Sequence, residues 1–137
     1  MRPVGVSLIA LLHWLRGAVY AIAGLAVLGL THLGARFMSA AASDTFLGRM
    51  ATGLGKAVGL GLLVMALIWI VLGLGLWTTK NWARVLTVLF IGILLIWHLL
   101  GLARFPTPWH ILRVLIDAAI VIYLLLPDVK RAFAAPA

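Results

Sequence analysis

Apolar residues run almost unbroken over four stretches of this chain, and polar residues gather between them. The stretches extend from about Val4 to Leu30, Leu54 to Trp77, Ala83 to Leu102 and Pro108 to Leu126. A bilayer core about 30 Å thick is crossed by about 20 residues of α-helix, so each stretch is long enough to span it. The pattern predicts an all-α polytopic membrane protein, an antiparallel bundle of four transmembrane helices forming one domain over residues 1–137. The last span has the clearest boundaries. Thr107 before Pro108 reads as an N-cap followed by proline at the first helical position. Pro127 ends the span, because proline has no N–H to continue the ladder.

The connections differ in kind. Thr78 to Trp82 is a tight polar turn, which makes the second and third spans antiparallel neighbours, and Ala103 to Thr107, containing Pro106, is another short turn. The first connection, Thr31 to Gly53, is longer; Arg36, Asp44 and Arg49 lie in it and Lys56 lies just beyond. Ser43 and Asp44 are suited to cap a short helix over Thr45 to Ala51 with Phe46, Leu47 and Met50 on one side, a segment that would lie in the membrane interface. The alternative for that segment is a disordered loop.

Composition moves the solvent from water to lipid. Hydrophobic residues make up 65% of the chain, and the mean hydropathy is +1.20. A soluble domain is about 45–50% apolar even with glycine counted. The acids are Asp44, Asp117 and Asp128, and eleven Lys and Arg give a net charge of +8. The basic residues punctuate apolar runs, as they do where helix ends meet anionic headgroups. They form no basic patch with interleaved aromatics, which sets nucleic acid aside as a partner. The absence of cysteine excludes disulfides, thiolate metal sites and cysteine nucleophiles. The N-terminal apolar run is too long for a signal-peptide core and reads as a retained first span. With both termini cytoplasmic, Arg2, Lys80, Arg84, Lys130 and Arg131 lie inside, and Arg36, Arg49, Lys56, Arg104 and Arg113 lie outside. The count is level. The shortness of the inner segments and the place of Arg113 within an apolar run favour termini inside.

Charges inside a span are costly and usually have a protein partner. Asp117 stands near the middle of the fourth span and Arg16 near the middle of the first. In an antiparallel bundle their depths coincide, so a bidentate ion pair is expected to clamp first helix to last. Asp117 titrating in a proton relay is the functional alternative. Arg113, one turn before Asp117, is the rival partner, although it lies nearer the end of the span and can snorkel to water. His13, Arg16 and Tyr20 share one face of the first helix and form a candidate polar seam. His32, His98 and His110 fall toward one membrane face and are weak candidates for a metal or haem site. They lack the spacing of a built metal site, so the expectation is no metal and no cofactor. Trp77, Trp82 and Trp109 sit at span ends like an aromatic belt, while Trp14, Trp69 and Trp97 lie deeper.

Small residues mark the packing faces. Gly55, Gly59, Ala66 and Gly73 lie on one face of the second helix, and Gly17, Ala21 and Gly24 on the first form a matching groove. Such positions let two backbones approach closely, either within the chain or across a dimer. Paired carboxylates, G-x-S-x-G and phosphate-binding loops are missing from the sequence, and the serines have no base and acid around them. No enzymatic activity is expected.

Arg2-Pro3 with Gly5-Val6, then Gly73-Leu74-Gly75-Leu76-Trp77, Trp82-Ala83-Arg84, and finally Tyr123-Leu124, Pro127, Val129-Lys130 and Ala132-Phe133 resemble a bacterial family of small, uncharacterised four-helix integral membrane proteins, a domain of unknown function. The resemblance covers most of the chain except the first long connection. It implies a four-span fold in a bacterial membrane and no particular activity, because the family has none assigned; the expected location is the bacterial cytoplasmic (inner) membrane. The functional expectation is a non-catalytic accessory or assembly subunit, in contact with membrane lipids and with another membrane protein or a second copy of itself. The alternatives are a small oligomeric transporter or channel with a path near Arg16 and Asp117, and a metal- or haem-binding subunit.

Overall fold

Among the described residues five helices form: α1 (Val4–Phe37), α2 (Phe46–Trp77), α3 (Asn81–Arg104), α4 (Pro108–Leu125) and α5 (Pro127–Ala134). The structure is a computed structural model and describes residues 3–37, 42 and 45–134. The first four helices are long and apolar enough to cross a membrane, so the chain is a multi-pass, all-α membrane protein. Their apolar surface faces mostly outward: 6% of the most apolar window of α1 and 28% of that of α2 is buried. Such a surface is stable only against lipid or other membrane proteins.

The first two helices exceed their expected spans. α1 continues past Leu30 to Phe37, and the Thr31 hydroxyl donates back to the Val27 carbonyl at 2.7 Å. The segment expected to form a separate interfacial helix over Thr45 to Ala51 is helical, but it is the start of α2 and runs on without a break. The physical reason is that Gly48, Gly53 and Gly55 weaken a helix without removing its hydrogen-bond donors, and no proline intervenes. Thr45 caps this end: its Oγ1 accepts from the Gly48 N–H at 3.1 Å and donates to the Ala42 carbonyl at 2.6 Å. The expected cap at Ser43 and Asp44 lies outside the described residues. At 1.5 Å per residue, helices of 34 and 32 residues measure about 50 Å. They must cross a hydrocarbon layer of about 30 Å tilted or extend beyond it.

The chain divides into two compact units, one of residues 13–71 and one of residues 1–12 with 72–137. In the first, α1 and α2 pack antiparallel through their small residues. A Cβ placed on Gly24 would stand 2.9 Å from the Gly59 carbonyl oxygen, and one on Gly17 would stand 3.2 Å from that of Ala66. Gly55 lies against Thr31. Positions rise along α1 as they fall along α2, which is the register of an antiparallel pair. Ala21 is half-buried between the two α1 glycines.

In the second unit α3 and α4 form another antiparallel pair. The turn between α2 and α3 is closed by the Lys80 N–H on the Gly75 carbonyl at 2.9 Å, with Thr79 at a φ of 51°. Gly75 leaves room for Ala83 and the Trp82 ring, while Gly73 is buried. Gly92 on α3 differs, since nothing lies within 4 Å of a Cβ built there. Gly92→Ala is therefore expected to raise stability by about 0.5–1 kcal/mol through helix propensity and reduced unfolded-state freedom. Thermal denaturation in detergent reads this directly, and a destabilised variant would contradict the open environment.

Pro127 does more than end a span. Leu126 leaves helical geometry with ψ at 139°, and Pro127 then opens α5. Here proline occupies a first-turn position, where its missing N–H costs nothing. Val129 and Phe133, four residues apart, are buried as α5 folds against α3 and α4, while Asp128, Lys130 and Arg131 stay exposed. The Arg131 guanidinium donates to the Asp128 carboxylate. The i,i+4 pair of apolar residues was the available signal for this helix.

Candidate functional site

The buried face of α3 is set by Ala83, Thr87 and Ile91, and that of α4 by Asp117, Ile120 and Leu124. Both sets follow helical spacing. His98 lies seven residues beyond Ile91 on the α3 face. Because the turn between the helices is short, His98 and Asp117 arrive at similar depth from opposite directions. The His98 Nδ1 and the Asp117 Oδ2 stand 2.8 Å apart. Asp117 is 1% exposed and the His98 side chain 18%. An ionised carboxylate only accepts hydrogen bonds. With the carboxylate ionised, Nδ1 is the donor of this contact, and the contact fixes the orientation of the ring. Close by in sequence, Gly101 lies flat against the His110 ring, with 3.0 Å from a built Cβ to its Nε2. That absence of a side chain lets α3 and α4 approach near their connecting turn.

His98, expected with His32 and His110 toward one membrane face, meets Asp117 instead. The signal that would have found it was geometric: positions roughly equidistant from the turn at Pro106 must face each other. The other candidate residues are distributed as follows. Arg113 lies with its Cζ 4.5 Å from the centroid of the Trp109 ring, a cation–π contact at the end of the span. Arg16 belongs to the unit of residues 13–71, where its Cζ lies 5.1 Å from the centroid of the Trp69 ring. His13 is buried and meets the same indole edge-on, with ring centroids 4.9 Å apart and planes at 79°. The seam on α1 is thus organised around Trp69, and Tyr20 on it is half-buried.

His110 is engaged at the α4 N-terminus, where the Thr107 Oγ1 lies 2.8 Å from its Nδ1 and accepts its backbone N–H at 3.4 Å. His32 is exposed on α1. Among the described residues no group of three His, Asp or Glu stands close enough to hold a metal ion. Thr87, also on the inner face of α3, is fully buried, and its hydroxyl has no hydrogen-bond partner among the described residues. It lies about 16 Å along the helix from His98, too far to extend that pair. Chemically, the His98–Asp117 arrangement can hold two helices in one register and can hold a proton between its members. Of the deeper tryptophans, Trp69 is buried, whereas Trp97 is 73% exposed.

Several of the residues that carry the resemblance meet in the second unit. Gly5 lies under the Tyr123 ring, Gly75 under Trp82 and Ala83, and Arg84 donates to the Leu124 carbonyl. Val129 and Phe133 are buried beside them. No curated protein and no solved structure matches the chain. Residues 45–127, which hold α2, α3 and α4 with both members of the buried pair, match the family model described as "Predicted membrane protein (DUF2127)", and the chain belongs to that family.

Proposed function

We propose that the protein is a non-catalytic accessory or assembly subunit that works by packing against other membrane proteins. In this reading it resides in a bacterial cytoplasmic membrane with both termini on the cytoplasmic side. The observation that carries the reading is the use made of Asp117. At 1% exposure, with its carboxylate held by His98, it is placed to fix helix register rather than to meet a solvated substrate. A transport path would need hydrated polar groups in succession across the bilayer. Here His13 and Arg16 of α1 meet the Trp69 ring, and the carboxylate of α4 meets an imidazole. What remains for interaction is outward-facing apolar helix surface, which other transmembrane helices can use through van der Waals packing.

The test is purification from native membranes in mild detergent, followed by mass-spectrometric identification of whatever accompanies the chain. A stoichiometric larger membrane protein is the expected result. Recovery as a solitary monomer under conditions that preserve other membrane assemblies would overturn the reading.

A further inference from the structure

The geometry points to a binding site for one anionic phospholipid in the groove between the start of α3, the end of α4 and α5. Its phosphate sits between Arg84 and Lys130, and an acyl chain runs along Val85, Val88, Leu89 and Leu125. Those six residues line a groove of about 310 Å³, whose wall is almost wholly aliphatic, with the stems of Arg84 and Lys130 contributing beside four aliphatic side chains. An aliphatic groove bordered by two basic residues and no acid fits an acyl chain that carries an anionic headgroup.

The cations are arranged for that use. The Arg84 Nε donates to the Asn81 Oδ1 at 3.1 Å, and one terminal nitrogen donates to the Leu124 carbonyl at 3.4 Å. A guanidinium has five N–H donors in a rigid fork, so Arg84 is held by two bonds and keeps donors for a phosphate. Lys130 is exposed on α5. The acid nearest to it in sequence, Asp128, is engaged by Arg131, so this carboxylate is already paired with another cation.

Depth agrees with charge. Trp77 and Trp82 flank the turn beside the groove and are both exposed, as expected of an aromatic belt at headgroup level. Arg84 is two residues from Trp82, about 3 Å along the helix. Amphipathic α5, with Val129 and Phe133 turned inward, lies at the same end of the unit. Val88 and Leu89 lie a turn further along α3, where the hydrocarbon begins. A free phosphate would leave that aliphatic wall uncovered, whereas a phospholipid covers it and satisfies both cations. This site is independent of any subunit role.

Native mass spectrometry of the full chain, released from detergent after equilibration with lipid, tests the assignment. The probes are phosphatidylglycerol and phosphatidylcholine with identical acyl chains, with inorganic phosphate as competitor. Phosphatidylglycerol should be retained preferentially. Lys130→Gln, at an exposed position that leaves the fold intact, should weaken its retention about fivefold, the scale of one basic residue near a membrane surface. Arg84→Gln with Lys130→Gln should abolish the preference, and Arg104→Gln, at the other end of α3, should leave it unchanged. Equal retention of the two lipids, or an unaltered preference in Lys130→Gln, overturns the site. Displacement of the lipid by millimolar inorganic phosphate would show a bare anion site and overturn the phospholipid assignment.

Discussion

Replacing Asp117 by alanine should cost the fold about 3 kcal/mol, the scale of breaking a buried charged hydrogen-bonded pair by removing one partner. Two contributions to the loss stand out. The His98 Nδ1–H loses its acceptor at 2.8 Å, and a cavity opens at a position that is 1% exposed. Asp117→Asn keeps the volume and one carbonyl acceptor but not the charge, so it should fall between alanine and the native chain. His98→Ala should also destabilise, because it removes a donor from a carboxylate shielded from water. The informative measurement is the double-mutant cycle by equilibrium unfolding in detergent, where the two alanine substitutions should couple by about 1.5–3 kcal/mol. Strictly additive losses would show that the two side chains contribute independently and would remove the pair as the lock between α3 and α4.

Gly24→Ala should destabilise the α1–α2 pair by about 1–3 kcal/mol, the usual cost of forcing a methyl into a filled contact. Its Cβ would stand 2.9 Å from the backbone oxygen of Gly59 and 3.0 Å from the Leu63 side chain. A backbone oxygen cannot rotate away, so the helices must separate. Gly59→Ala should cost less, although its nearest contact is shorter. That contact, at 2.6 Å, is the side chain of Leu28, and the backbone oxygen of Gly24 is 3.2 Å away. A leucine can change rotamer. Gly61→Ala, two residues along the same helix with nothing within 4 Å, should be neutral or stabilising. The three variants compared by thermal denaturation isolate close approach from helix propensity. Similar effects at Gly24 and Gly61 would mean that the glycine contact contributes nothing.

Much of the architecture was legible in the sequence because the bilayer imposes a length rule on apolar runs. The turns at Thr78 to Trp82 and at Pro106 were equally plain, since polar residues and proline interrupt otherwise continuous spans. The small residues on α1 and α2 also pointed to their contact. In the structure Gly17 meets Ala66, Gly24 meets Gly59 and Gly55 meets Thr31. The length rule was weaker at the ends. It sets a minimum of about 20 residues and no maximum. Hence α1 and α2 run past their apolar cores to Phe37 and back to Phe46, where backbone hydrogen bonding continues as long as no proline or cap stops it.

The candidate site divides along the same line. That Asp117 must face protein follows from the cost of a charge in hydrocarbon, a one-dimensional property of the chain. That His98 meets it depends on the rotation of α3 about its own axis and on its vertical offset from α4. The composition of an apolar helix leaves both nearly free, because lipid accepts almost any apolar side. Packing decides them, through the burial of Thr87, Ile91, Ile120 and Leu124 and the close approach at Gly101. The same holds for Arg84 and Lys130, which are remote in sequence and read separately as helix-end charges. They line one groove only because α5 turns back at Pro127 and buries Val129 and Phe133. Hydropathy along a chain determines how often it crosses the membrane, whereas the partners of its few polar side chains are settled by helix rotation and register, which are three-dimensional quantities.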